Sequence, residues 1–237
     1  METKGAIKAR KLAFRNGWVQ RQLSSLMDGM TSLYATGENS DLTILCSGKE
    51  WKVHKFCLAA QSEFFRAAFR SDSSETKTGR MSLHEEDPRA VEAMIQYLYT
   101  LEYISTTTGL LSQIILDVRV YVLADKYLVP GLREWAAQSF NDNAFDLWFT
   151  PDFLAAVREV YRTTAANKTN PLKQSIVKVA MGYAGSLLRP FGDSKGFVLV
   201  LEDIAELGKD LSIALSRELA RLHEGPADEF SNQQPAT

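Results

Sequence analysis

Histidine and cysteine are the side chains best suited to bind a transition metal, and this chain has only three histidines and two cysteines. His54 and Cys57 lie three residues apart, a spacing that two zinc ligands can have. A structural zinc site needs a complete ligand set, and neither this pair nor Cys46 has a second pair of ligands nearby. We therefore expect no metal site and two buried free thiols, as is usual for cysteine in a reducing compartment.

An acid, a histidine and a serine, here Asp41, His54 and Ser62, can form a nucleophilic triad when they meet in space. Each of the three also suits a separate structural role, which is the interpretation we favour. The acidic cluster at residues 85–87 precedes Pro88, where negative charge stabilises a helix N-terminus. The sequence has no glycine-rich phosphate loop and no nucleophile elbow. We predict no catalytic residue and no cofactor, and an enzyme with an unrecognised site is the least favoured hypothesis.

The charge balance argues against direct nucleic-acid binding, because 27 basic and 29 acidic residues leave a formal charge of −2. Residues 1–21 are a local exception, with six basic residues against one acid. A solvated helix face explains this segment, and a targeting segment or a contact with an anionic surface is the alternative. No apolar run approaches the roughly 18 residues of a bilayer span. We expect no membrane contact, no secretory signal and a cytoplasmic or nuclear location.

Apolar spacing predicts a long helix at residues 6–34, within an N-terminal segment 1–37. Its apolar residues recur at steps of three, four and seven: Leu12, Val19, Leu23, Leu26, Met30 and Leu33. A period of two at residues 42–46 and 51–53, with glycine between them, predicts a hairpin. Helical spacing over residues 55–70 predicts an aromatic core face, made of Phe56, Leu58, Ala59, Phe64, Phe65 and Phe69.

Strands and helices are mixed in the next part of the chain. Residues 80–84 alternate like a strand, and Asp87 with Pro88 is typical of a helix start. Further helices are predicted at 111–128 and 132–140, separated by a break at Pro130. This order predicts an α+β domain at residues 38–140.

The alternating pattern typical of strands is not found after residue 145, which predicts an all-α extension at residues 141–225. Its last part has apolar residues at alternating steps of four and three, as in the heptad pattern of a coiled coil. This alternation is lost after Leu215, and Gly208 occupies one of the positions that should be apolar. Two ordinary amphipathic helices with a stop near Gly208 are therefore favoured over a coiled coil. The polar tail at residues 226–237 is predicted to be disordered.

The first domain resembles the BTB/POZ family. The resemblance starts with Ser40–Ile44, a glycine turn, Val53–Lys55, Leu58–Ala60 and Ser62–Phe65. It continues in the same order with Leu83, Asp87–Pro88, the helix at 95–99, Tyr121–Tyr127 and Pro130–Leu132. It covers about 100 residues and implies a BTB/POZ-like core. The helical extension is similar to the branch of this family abundant in fungi, in which a lone BTB domain carries helical regions.

The resemblance implies a homodimer formed through the N-terminal segment and the helices at residues 55–69. It places Asp41 and Lys55 near a charged pocket at the dimer face. Lysine at this position keeps the positive charge that an arginine would have, but it cannot form the two parallel hydrogen bonds of a guanidinium group. The residues predicted at this interface are Asp41, Lys55, Phe56 and Ala59. Structural roles are predicted for His54, which would bond neighbouring backbone, for Ser62, which would cap a helix, and for the core residue Phe65.

Many members of the family also bind a cullin, through a hydrophobic residue, any residue and a glutamate. The matching residues here are Ser73, Ser74 and Glu75, so the glutamate is present and the apolar anchor is a serine. We predict a protein-interaction and dimerisation module that acts as a scaffold or adaptor. A substrate adaptor for a cullin-type ubiquitin ligase is one hypothesis, and a transcription-linked or structural scaffold without a cullin is the alternative.

Overall fold

The computed structural model describes residues 4–70, 78–104, 112–164, 170–188 and 195–224, without the side chains of residues 4–14, 195 and 224. The chain divides into two compact units, Met1–Ala136 and Ala137–Thr237. The first contains helices and a small sheet, and the described part of the second is entirely helical. The predicted fold class, an α+β core followed by a helical extension, is confirmed.

The first unit begins with α1, Lys4–Thr36, slightly longer than the predicted helix. Gly37 ends it in the left-handed conformation, with φ +62°, and donates its N–H to Leu33 O at 2.9 Å. Glycine suits this position because it has no Cβ to clash with the carbonyl.

The predicted hairpin is confirmed as β1, Leu42–Cys46, antiparallel to β2, Lys49–Val53. Ser47 and Gly48 connect them with positive φ values of 45° and 82°, as the twist of a tight hairpin requires. A third strand, β3, Arg80–Ser82, pairs parallel with β1, so the sheet order is β2-β1-β3.

The segment at 55–70 forms two helices, α2, Lys55–Gln61, and α3, Glu63–Arg70. Ser62 separates them in an extended conformation, with φ −127° and ψ 123°. The predicted aromatic core face is correct for Leu58 and Phe65, which are fully buried, and for Phe69, which packs against the core. It is wrong for Phe56 and Phe64, which are 59% and 37% exposed. The extended residue resets the helical rotation, so side chains before and after it do not share one face.

Asp87 caps α4, Pro88–Thr100, by accepting a hydrogen bond from Arg89 N–H at 2.8 Å. The next helices are α5, Gln113–Lys126, and α6, Pro130–Leu147. The break between α5 and α6 therefore lies at residues 127–129, just before the predicted break at Pro130. Leu128 has a φ of 52°, and Pro130 begins α6 because a helix's first turn does not use the missing N–H.

One buried cluster unites the sheet and the helices of the first unit. Val53, Phe65 and Leu123 all belong to it, although they lie far apart in the sequence. The most completely buried side chains around them include Ile44, Leu58, Met94, Ile95, Leu98, Tyr99 and Leu132.

The second unit continues with α7, Pro151–Thr163; α8, Pro171–Gly182; and the short α9, Ala184–Leu187. It ends with α10, Lys195–Asp203, and α11, Ala205–Glu224. The two predicted helices are present, but the predicted stop near Gly208 is wrong, because the helices separate at Ile204 and Gly208 lies inside α11. A glycine costs a helix only about 1 kcal/mol, which packing of the helix can offset.

Within the described ranges, no helix is both long and apolar enough to span a bilayer. The same part of the chain holds no group of three or more residues arranged to bind a metal.

Candidate interaction surface

One exposed face of the first unit contains four of the residues predicted at an interface. Lys55, Phe56 and Ala59 lie on the outer side of α2, and Asp41 lies beside its start; we call this group the α2 face. The ring of Phe56 is 59% exposed, Asp41 is exposed, and Lys55 and Ala59 are half-buried.

Asp41 connects the start of β1 to the start of α2. Its Oδ1 accepts a hydrogen bond from the backbone N–H of Lys55 at 2.7 Å, and its own N–H donates to Val53 O at 3.2 Å. The formal N-cap residue, His54, makes no side-chain cap bond. The Asp41 carboxylate therefore satisfies a free amide of α2, where the helix dipole also favours negative charge.

His54 is buried directly beneath the α2 face, at 4% exposure. Its Nδ1 lies 2.7 Å from the Tyr99 hydroxyl, its Nε2 lies 2.7 Å from Glu38 O, and its backbone N–H donates to the same hydroxyl at 2.8 Å. A carbonyl can only accept, so Nε2 carries a hydrogen that it donates to Glu38 O, and Nδ1 lies within hydrogen-bond distance of the Tyr99 hydroxyl. Both ring nitrogens of His54 therefore have hydrogen-bond partners within the first unit.

A chain of aromatic contacts joins Phe56 to the core. Ring centroids are 5.9 Å apart between Phe56 and His54, 5.8 Å between His54 and Tyr99, and 5.5 Å between Tyr99 and Tyr34 of α1. Burial raises the pKa of the Tyr99 phenol, so this hydroxyl stays protonated and able to donate. The exposed ring of Phe56 is therefore linked to the buried residues through His54 and Tyr99.

Ser62 positions α3 relative to α2. Its hydroxyl donates to Tyr127 O at 2.6 Å and accepts from Phe65 N–H at 3.1 Å. The rings of Phe65 and Tyr127 stack, with centroids 5.7 Å apart, and the Tyr127 hydroxyl donates to Glu86 at 3.0 Å. Burial, with a further contribution from the Glu86 hydrogen bond, raises the pKa of Tyr127.

A second exposed apolar surface runs along α1. Val19, Leu23 and Leu26 are 37%, 48% and 60% exposed, and we call them the α1 stripe. The stripe continues the helix face whose later residues, Met30 and Leu33, pack against the core. Apolar side chains exposed in a row are typical of an interaction surface.

The sequence did not predict the contacts that Tyr34, Tyr99 and Tyr127 make with the residues of this site. A buried tyrosine needs a partner for its hydroxyl, but the spacing of residues does not tell which partner that is. Glu75 and Ser73 lie at 71–77, outside the described residues, so the geometry of the cullin-type motif stays a prediction.

Comparison with known proteins gives a family for this region. The model of the BTB/POZ domain matches residues 30–144. Human Kelch-like protein 17 is 32% identical over 75 residues, which are 32% of this chain and 12% of that protein. Kelch-like protein 8 of Caenorhabditis elegans is 31% identical over 133 residues, which are 56% of this chain and 19% of that protein.

Mouse TD and POZ domain-containing protein 5 is 30% identical over 113 residues, which are 46% of this chain and 30% of that protein. The chain therefore spans less than a third of the length of these relatives. Among solved structures, the BTB domain of zebrafish PATZ1 aligns with a TM-score of 0.42 and 14% identity, over 52% of this chain and 94% of that chain. The match to the family model shows that the chain contains a BTB/POZ domain at residues 30–144, and this domain is a protein-interaction module.

Proposed function

We propose that this protein is a dimeric scaffold or adaptor, whose BTB/POZ domain self-associates through the α1 stripe and the α2 face. The exposed α1 stripe is the observation that carries the proposal, because burying Val19, Leu23 and Leu26 in a partner removes apolar surface from water. The α2 face adds a rigid aromatic ring. Its Asp41 and Lys55 have opposite charges, which suits a two-fold interface in which one patch meets itself.

Replacing two residues of the α1 stripe tests the dimer. The wild-type chain should have a mass of about twice its 26.5 kDa by size-exclusion chromatography with light scattering. The Leu23→Asp, Leu26→Asp variant should run as a monomer, because a charge in the centre of an apolar interface has no partner.

The matched control replaces two leucines of the second unit that are equally exposed. Leu219 and Leu222 are 56% and 64% exposed, and Leu219→Asp with Leu222→Asp should leave the dimer intact. A dimer that persists in the α1 variant, or a monomeric wild-type chain, would contradict the proposal.

A cullin adaptor is the second candidate function, favoured by the glutamate at position 75, which follows the end of α3 at Arg70. The purified N-terminal domain of a cullin should bind the chain at micromolar concentration in a titration by calorimetry. Glu75→Lys should abolish this binding, and Ser73→Leu should strengthen it by supplying the apolar anchor.

The alternative is a scaffold, structural or linked to transcription, that works without a cullin. It predicts a stable dimer but no cullin binding by either the wild-type chain or the Ser73→Leu variant. That result would remove the adaptor role and leave the proposed dimer untouched.

A further inference from the structure

A groove of about 380 Å³ lies between α8 and α11 in the second unit. Its apolar lining comes from both helices, with Val177 and Met181 on α8 and Ile213 and Ala214 on α11. This volume falls within the range of ligand-binding clefts, roughly 300–1,000 Å³. Methionine and isoleucine at the surface of such a groove can pack against apolar side chains of a partner.

Asp210 lines this groove, and Glu206 forms an ion pair with the lining residue Lys173. Glu206 pairs with the buried Lys173 at 2.9 Å, and the Lys173 ammonium lies 4.9 Å from the centre of the Tyr161 ring. Asp210 accepts a hydrogen bond from the Tyr161 hydroxyl at 3.0 Å. Burial and the charge of Asp210 raise the pKa of Tyr161, so the hydroxyl keeps the proton that it donates.

Two cations that line the groove, Lys178 and Arg217, have no carboxylate partner among the residues that the structure describes. Arg217 of α11 is exposed and forms no ion pair with any residue that the structure describes. Lys178 of α8 lies with its ammonium 5.2 Å from the centre of the Phe145 ring, and within the described ranges it has no acidic partner either. Each wall of the groove therefore presents a positive charge beside apolar side chains.

We propose that the α8/α11 groove binds an acidic amphipathic helix from a partner protein. Apolar residues at steps of three and four on that helix would pack on Val177, Met181 and Ile213, as in other complexes where a helix occupies a groove. Acidic residues on its flanks would meet Lys178 and Arg217. This site lies in the second unit and is independent of the proposed dimer and of cullin binding.

Fluorescence anisotropy with a labelled synthetic helix tests the groove on the full chain. The probe carries leucines at helical spacing with flanking glutamates, and the comparison probe carries lysines in place of the glutamates. The acidic probe should bind at least about tenfold more tightly, with a Kd that rises with salt because charge attraction is screened.

Charge-reversal variants then locate the binding. Lys178→Glu with Arg217→Glu should weaken binding of the acidic probe at least about tenfold, and Ala214→Phe should weaken it by filling the floor of the groove. Arg162→Glu, an exposed charge on α7 that does not line the groove, should change the Kd less than about twofold. Circular dichroism checks that each variant is folded.

Three outcomes would overturn the proposal. The first is equal binding of the acidic and basic probes, and the second is an unchanged Kd in the charge-reversed and Ala214→Phe variants. The third is a loss of dimer mass in the Lys178→Glu, Arg217→Glu variant by light scattering, which would make the groove a contact between two copies of this chain. Loss of the dimer in the α1 variant alone bears only on the proposed function.

Discussion

At the scale of single residues, His54 holds the α2 face in place. Its ring nitrogens lie within hydrogen-bond distance of Glu38 O, before the sheet, and of the Tyr99 hydroxyl, at the end of α4. Its ring also contacts the exposed ring of Phe56. A buried imidazole with both nitrogens bonded joins segments that are distant in the sequence. These contacts connect the proposed α2 face to the buried cluster of the first unit.

Removing this imidazole should destabilise the first unit. We expect His54→Ala to lower the free energy of unfolding by about 2–4 kcal/mol, because it leaves a cavity and unpaired polar groups. Urea denaturation measures the change.

Tyr99→Phe is a second test of the same network, because it keeps the ring and removes only the hydroxyl that contacts His54. It should cost about 1–3 kcal/mol, less than the loss of the whole imidazole. Losses below about 0.5 kcal/mol for both variants, the level of an ordinary surface substitution, would show that the network does not hold the face.

At the scale of elements, the extended residue between α2 and α3 decides which aromatic rings are buried. Ser62 leaves the helical conformation, bonds Tyr127 O and caps α3 through Phe65 N–H. Phe65 consequently enters the core, and Phe56 stays on the surface.

Ser62→Ala should weaken this junction. The variant loses a helix cap and leaves Tyr127 O without the serine donor, so we expect about 1–3 kcal/mol of lost stability. Chemical denaturation followed by circular dichroism provides the measurement. Ser25→Ala on the exposed side of α1 is the control and should change stability by less than about 0.5 kcal/mol; equal effects of the two variants would argue against the capping role.

At the scale of the whole molecule, the described residues that are buried in the cluster of the first unit all lie between Leu42 and Ala136, and Met30, Leu33 and Tyr34 of α1 pack against them. α6 contributes Leu132 and Ala136 to it and continues to Leu147. A unit with its own core can fold alone.

Truncation tests this independence. A chain ending at residue 147 should unfold in a single cooperative thermal transition, because it keeps every residue of the cluster. A chain ending at residue 128 loses Val129, Leu132 and Ala136 and should show no such transition. Failure of the longer chain to fold would mean that the first unit depends on the second.

Local patterns in the sequence were enough to predict most elements. Alternation in Leu42, Ile44 and Cys46 predicted β1, the pair Asp87 and Pro88 predicted the start of α4, and Asn170 with Pro171 has the same form at α8. These signals are local because caps, turns and alternation depend on a few neighbouring residues. The prediction of a helix end near Gly208 was wrong because it also relied on a local signal. The free-energy cost of one glycine in a helix is small, and packing of α11 can offset it.

The sequence by itself determined the family, the α+β core with its helical extension, and the residues that could form an interface. Only the tertiary structure decided that Phe56 is exposed while Phe65 is buried, and that His54 meets Tyr99 and Glu38. It also decided that Lys178 and Arg217 line one groove from two different helices. These outcomes depend on contacts between residues that are distant in the chain. The spacing of residues along a single helix or strand predicts which face is apolar but not which distant residues that face contacts.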